Sequence, residues 1–176
     1  MDDTTVLFSD SIKYLGIYLS KTLTWDKQVT STVCKIRSKL YQLKISKHLL
    51  PHTLKVRIIS ALIFPLLDYC CTALTDITEQ QNLRLHCALN ACVRLIFNLR
   101  RDDHVTPYYQ EPRWLKVNLK RSYFIGCQLF NILNFHQLGI LSNSFILRSE
   151  ETRRNTRVAG NILLLPSCRI VIQAFL

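Results

Sequence analysis

The chain has 176 residues, 48% of them hydrophobic, with only 4 Gly and 5 Pro, which excludes disorder over most of its length and allows one domain with a real core. Lys and Arg number 23 against 12 Asp and Glu, giving a net charge of +11. A surplus of that size favours polyanionic partners, because each neutralised phosphate releases condensed counterions. The first element, within residues 6–20, reads as a β-hairpin. Ile12, Tyr14 and Tyr18 share one parity while Leu15, Ile17 and Leu19 share the other, so both faces are expected to be covered. Ser9-Asp10-Ser11 is expected to supply the turn, and Gly16 a kink or a close backbone approach.

Four helices are predicted across residues 24–137. The first starts at Thr24 as N-cap and runs to about Ser46, with Val29, Val33, Ile36, Leu40 and Leu43 as one narrow apolar stripe. The second runs from Pro51 to about Leu74. Leu54, Ile58, Ile59, Leu62, Ile63, Leu66 and Leu67 surround its axis, which predicts the central, most buried helix, kinked at Pro65. Thr78-Glu79-Gln80-Gln81 matches a capping box and opens the third helix, which buries Leu85, Leu89, Cys92, Val93 and Ile96. A loop carrying Arg100, Arg101, Asp102, Asp103 and Pro107 leads to the fourth, from about Asn118 to Phe135, burying Ile125, Leu129, Ile132 and Leu133. Residues 138–176 read as a basic tail with a short strand at Ile162 to Pro166, ending without a turn or cap. The expected fold is mainly α: a single truncated domain built as a bundle of about four helices, with an N-terminal β-hairpin and a partly irregular C-terminal tail.

Catalytic chemistry finds no constellation here. Asp2-Asp3 is a carboxylate pair at a chain end, without the strand-flanked turn and third carboxylate that hold two metals. No C-x-x-C occurs among the seven Cys, so the cysteines read as small core hydrophobes, not metal ligands. Four scattered glycines cannot build a phosphate loop. No enzyme activity, metal or cofactor is expected. An odd cysteine count and an N-terminus unlike a signal peptide point to a reduced intracellular compartment, nuclear or cytoplasmic. The apolar run Ile58 to Leu67, about ten residues against the ~20 of a bilayer span, reads as a core helix, so no membrane association is expected.

The order of short motifs carries a resemblance. Ser11-Ile12-Lys13-Tyr14-Leu15-Gly16-Ile17-Tyr18-Leu19 followed by Leu23-Thr24-Trp25 resembles the segment closing the palm of non-LTR retrotransposon (LINE, jockey-like) reverse transcriptases. Phe64-Pro65-Leu66-Leu67-Asp68-Tyr69 resembles that family's helix ending in Pro-x-x-Asp/Glu-Tyr, and Gln81-Asn82-Leu83-Arg84-Leu85 its next helix. His104-Val105-Thr106-Pro107, Trp114-Leu115, Arg121-Ser122-Tyr123 and Leu163-Leu164-Leu165-Pro166 continue the series in order, from about Phe8 to Arg169. The resemblance implies the end of the palm, the helical thumb and its extension, which grip template and primer. The family's catalytic aspartates lie upstream of this region and have no counterpart in the chain. It further implies that Lys13, Tyr14 and Gly16 form a turn near the primer strand; an ordinary bent hairpin is the alternative.

From the residues themselves, Arg84, Arg94, Arg100 and Arg101 form a basic group on and just after the third helix, a candidate for phosphate contact, partly neutralised by Asp102 and Asp103. Arg37 and Lys44 flank one side of the first helix's stripe, with Lys35 and Lys39 on the other, and make no single ridge. Tyr108, Tyr109 and Trp114 favour core packing over base stacking, and Arg148, Arg153, Arg154 and Arg157 form a second basic cluster. The expected partner is RNA or an RNA–DNA hybrid, with self-association through an uncovered hairpin face. The competing readings are a helical protein–protein interaction module and a non-functional transposon remnant.

Overall fold

A computed structural model describes residues 9–135. The expected tail, with its strand and its arginine cluster, lies outside the described residues. Mainly helical architecture with an N-terminal two-stranded hairpin is what the chain adopts: β1 (Ser11–Tyr14), β2 (Ile17–Ser20), α1 (Asp26–Ile45), α2 (His52–Leu62), α3 (Phe64–Asp68), α4 (Glu79–Phe97) and α5 (Val117–Phe135). Short 3-10 turns at Cys71–Ala73 and Thr106–Tyr109 join them. The expected second helix is present as α2 and α3, broken at Ile63, where Pro65 enters the first turn of α3. A proline is tolerated there because that amide has no partner within the helix.

The hairpin turn is Leu15-Gly16, not Ser9-Asp10-Ser11. Both residues have positive φ, 45° and 83°, the pattern of the two-residue turn that matches strand twist. Glycine adopts it freely, whereas Leu15 takes it against a steric penalty. The two-residue turn pairs Tyr14 with Ile17 and Ile12 with Leu19. Partners across an antiparallel ladder share a face. Ile12, Tyr14, Ile17 and Leu19 therefore gather on one face, correcting the expectation of apolar residues on both. The other face carries Lys13 and Tyr18. The Lys13 and Lys27 ammoniums lie 5.7 and 5.2 Å from the Tyr18 ring centre.

Trp25, not Thr24, precedes the first helical residue, and its indole N–H donates to Asp76 at 2.8 Å. Thr24 is instead held by Ser20, whose hydroxyl donates to its carbonyl. The capping box of α4 forms as expected: the Gln81 amide donates to Thr78 Oγ1, and the Thr78 amide donates to Gln81 Oε1. Gln81 also donates from Nε2 to Asp26 Oδ1 at 2.8 Å, so one buried side chain ties together the first turns of α1 and α4. Further along, Arg84 donates to Thr30 Oγ1 at 2.8 Å. Advancing together, 26 with 81 and then 30 with 84, the two helices run parallel.

Val29, Val33 and Ile36 of α1 pack with Leu85, Leu89, Cys92, Val93 and Ile96 of α4 in the main core, completed by Ile59, Ile63 and Leu67. The most buried helix is α4. The expected choice, the stretch now divided into α2 and α3, buries Lys55, Ile59, Ile63 and Leu67 but leaves Leu54 and Leu62 exposed. Its apolar residues circle the axis, but its neighbours cover one side. By length and composition the 22-residue stretch His52–Ala73 is apolar enough to cross a membrane. Its Ile59, Ile63, Leu67 and Cys71 are core residues of the bundle.

Two aromatic expectations hold. Trp114 packs edge-on to Phe64 at 4.8 Å, and Tyr109 is buried with its hydroxyl donating to Asn90 Oδ1 at 2.7 Å. Neither ring is free to stack on a base. In α5, Ile132 is buried, as expected, but Ile125 is exposed. Of the cysteines, Cys71 and Cys92 are buried, while Cys34, Cys87 and Cys127 are exposed, so core packing accounts for only some of them.

Candidate nucleic-acid interface

The residues singled out by sequence do not converge on one patch. Lys13, Tyr14 and Gly16 lie on the hairpin, where Tyr14 is 63% exposed. Tyr69, two residues past Leu67 of α3, donates its hydroxyl to the Leu15 carbonyl, and a Cβ on Gly16 would meet the Tyr69 ring at 3.4 Å. The close approach that Gly16 permits is thus made by a protein side chain, a partner that the sequence alone did not suggest. Ile12, at 61% exposure, and Tyr14 leave much of the apolar hairpin face open.

The arginines of α4 divide between two ends of the helix. Arg84 reaches across to α1, as described. Arg94 turns toward the following loop and donates to the carbonyls of Arg100, Arg101 and Asp103, at 3.4, 3.2 and 3.4 Å. The Arg100 amide in turn donates to Asp103 Oδ2 at 2.7 Å. The guanidinium thereby helps to fix the loop, whose Arg100 carbonyl also accepts from the Asp103 amide at 3.4 Å. Its positive charge is not cancelled, since carbonyls are neutral acceptors. Arg101 lines a second, broader cleft of about 570 Å³ with Asp102, Asp103, His104, His86 and Lys116. Burial, and then Lys116, push the His86 pKa below its ordinary value, against a hydrogen bond to Asn118 that raises it. With two carboxylates at its rim, this cleft is electrostatically mixed.

A more uniform site lies between the C-terminal halves of the parallel helices α1 and α4, a groove of about 410 Å³. Arg37, Tyr41 and Lys44 enter it from α1 at positions i, i+4 and i+7, which share one helix face. Ala91, Arg94 and Leu95 enter from α4 at i, i+3 and i+4, with Asn98 just past its end at i+7. Leu40, Leu95 and Leu99 supply apolar lining, and Lys47 closes the end just beyond α1. Lys47 and Leu95 also line a small adjoining cavity with Lys55, which is only 8% exposed. Among the described residues, Lys120 forms an ion pair with Asp68 and His52 Nδ1 lies 3.6 Å from Glu111, and no carboxylate is paired to Arg37, Lys44, Lys47, Lys55 or Arg94. Of the α1 cations only Arg37 and Lys44 line this groove, joined there by Lys47 and by Arg94 of α4, while Lys35 and Lys39 do not. The signal for this groove was the seven-residue interval from Arg37 to Lys44.

No family model, curated protein or solved structure matches the chain. Among the described residues, no group of three His, Cys, Asp or Glu side chains is placed to hold a metal ion.

Proposed function

We propose that this chain binds nucleic acid, RNA or an RNA–DNA hybrid, as a thumb-like fragment related to non-LTR retrotransposon reverse transcriptases, and does not polymerise on its own. The observation that carries the reading is the α1–α4 groove, where four cations face one concavity with no carboxylate paired to them. Cations collected without acidic partners repel one another, and a polyanion relieves that repulsion while releasing its own counterions. The net charge of +11 acts in the same direction over a longer range. The ordered series of motifs from Lys13-Tyr14-Leu15-Gly16 onward supports the family assignment.

The test is equilibrium binding of the purified chain to labelled single-stranded RNA, duplex DNA and RNA–DNA hybrid over a salt series. Saturable binding whose logarithm falls linearly with the logarithm of salt is expected. Reversing charge with Arg37→Glu and Lys44→Glu should reduce the slope by about one contact each. Absence of saturable binding at low salt would overturn the reading. A second reading, self-association, is favoured by the open apolar face of Ile12, Tyr14 and Leu19. Concentration-dependent sedimentation that is abolished by Ile12→Lys would support it.

A further inference from the structure

We infer that the α1–α4 groove receives an unpaired base of a single-stranded nucleic acid, stacked on Tyr41, with the flanking phosphates held by Arg37, Lys44 and Lys47. This rests on the nucleic-acid reading and narrows it to one form of ligand at one site. Tyr41 is 69% exposed, between Arg37 and Lys44 on the same face of α1. An aromatic ring left in water between two cations is the arrangement that stacks a base while its phosphates are neutralised.

Two simpler accounts explain less. Lys44 and Arg94 lie in the last turns of α1 and α4, where cations complement the helix dipole. That role does not require Arg37, a full two turns earlier, or Lys47, beyond the helix. Nor does it explain Lys55, whose stem is buried under the adjoining cavity while its ammonium has no carboxylate among the described residues. Duplex binding also leaves features unused. A duplex turns its phosphates outward and its bases inward, so it would contact the cations and leave Leu40, Ala91 and Leu95 uncovered. An unpaired base covers them, and a groove of about 410 Å³ lies within the ~300–1,000 Å³ typical of small-ligand sites.

The experiment compares binding of the full chain to a labelled 15-nucleotide oligo(U) and to a blunt RNA–DNA hybrid of equal length, at fixed salt. Tyr41→Ala should weaken oligo(U) binding about tenfold and change hybrid binding less than about twofold, whereas Tyr41→Phe should keep both. Lys44→Ala combined with Lys47→Ala should weaken oligo(U) binding at least as much as Tyr41→Ala does. Because Tyr41 is exposed, circular dichroism and the thermal midpoint should remain those of the parent. If oligo(U) and hybrid both bind but Tyr41→Ala leaves oligo(U) affinity unchanged, the groove assignment is overturned and nucleic-acid binding stands. Failure of both probes to bind overturns both. Displacement of oligo(U) by poly-glutamate as effectively as by unlabelled oligo(U) overturns the base site in favour of an acidic peptide.

Discussion

Cys92 and Tyr109 sit together in the core, and both titrate far from their ordinary values. Burial pushes the Cys92 thiol up from 9.0 to about 12. Burial first, and then the neighbouring Cys92, push the Tyr109 hydroxyl up from 10.0 to about 12. In the unfolded chain these groups lose their protons at their ordinary values, while in the folded chain they keep them. Between about pH 9 and 12 the folded state therefore binds more protons, so stability must fall as pH rises through that window and is complete below it. Tyr109→Phe should separate two effects. At pH 8 it should destabilise by about 1 kcal/mol, since Asn90 Oδ1 loses its donor. Between pH 10 and 12 its stability should decline less steeply than that of the parent, as read from urea midpoints at each pH. Parallel pH profiles for the two proteins would refute the assignment of the alkaline loss to Tyr109.

At the scale of elements, Lys120 ties α5 to α3. The Lys120 ammonium donates to Asp68 Oδ2 at 2.6 Å and lies 3.7 Å from the Phe64 ring centre, so a single charge meets a carboxylate and an aromatic face at once. Both side chains are about a quarter exposed, at 23% and 26%, which places the pair between a screened surface bridge and a fully desolvated one. Lys120→Met and Asp68→Leu should each destabilise by about 1–3 kcal/mol, and the double variant by less than their sum. Strict additivity in a denaturant double-mutant cycle would mean that the pair carries no coupling. Such long-range ties also mark the limit of what the sequence disclosed. The Thr78-Gln81 capping box was legible because all its partners lie within four residues, and the stripe of α1 because three of its five positions enter the main core and the other two, Leu40 and Leu43, pack against it. Lys120 gave no sign of Asp68, 52 positions away. Likewise α2 looked most buried because its apolar residues circle the axis, which states what a helix can bury and not how many neighbours it meets. The hairpin turn was misplaced because Ser9-Asp10-Ser11 has turn composition, while Leu15-Gly16 has only one residue suited to positive φ. Arg94 reads from the sequence as a candidate for phosphate contact, and its three carbonyl partners depend on a loop path that no local pattern encodes.

For the whole molecule, the governing quantity is a surplus of +11 with few internal counter-charges to absorb it. Among the described residues the Lys120–Asp68 ion pair and the His52–Glu111 contact leave the α1–α4 cations unmatched. Two consequences of opposite sign follow from one cause. Added salt screens the attraction between the groove and phosphate, so affinity must fall. The same screening relieves repulsion among the cations of the folded chain, which are closer together there than in the expanded unfolded chain, so stability must rise. Raising sodium chloride from about 50 to 500 mM should thus raise the thermal midpoint by a few degrees while nucleic-acid affinity drops by orders of magnitude. Arg37→Gln with Lys44→Gln should raise the low-salt midpoint and shrink the salt-induced gain, because the repulsion being screened is then already reduced. A midpoint that instead falls with salt, measured in the free chain, would mean that attractive pairs outweigh the surplus, and the groove cations could no longer be regarded as held in mutual repulsion until an anion arrives.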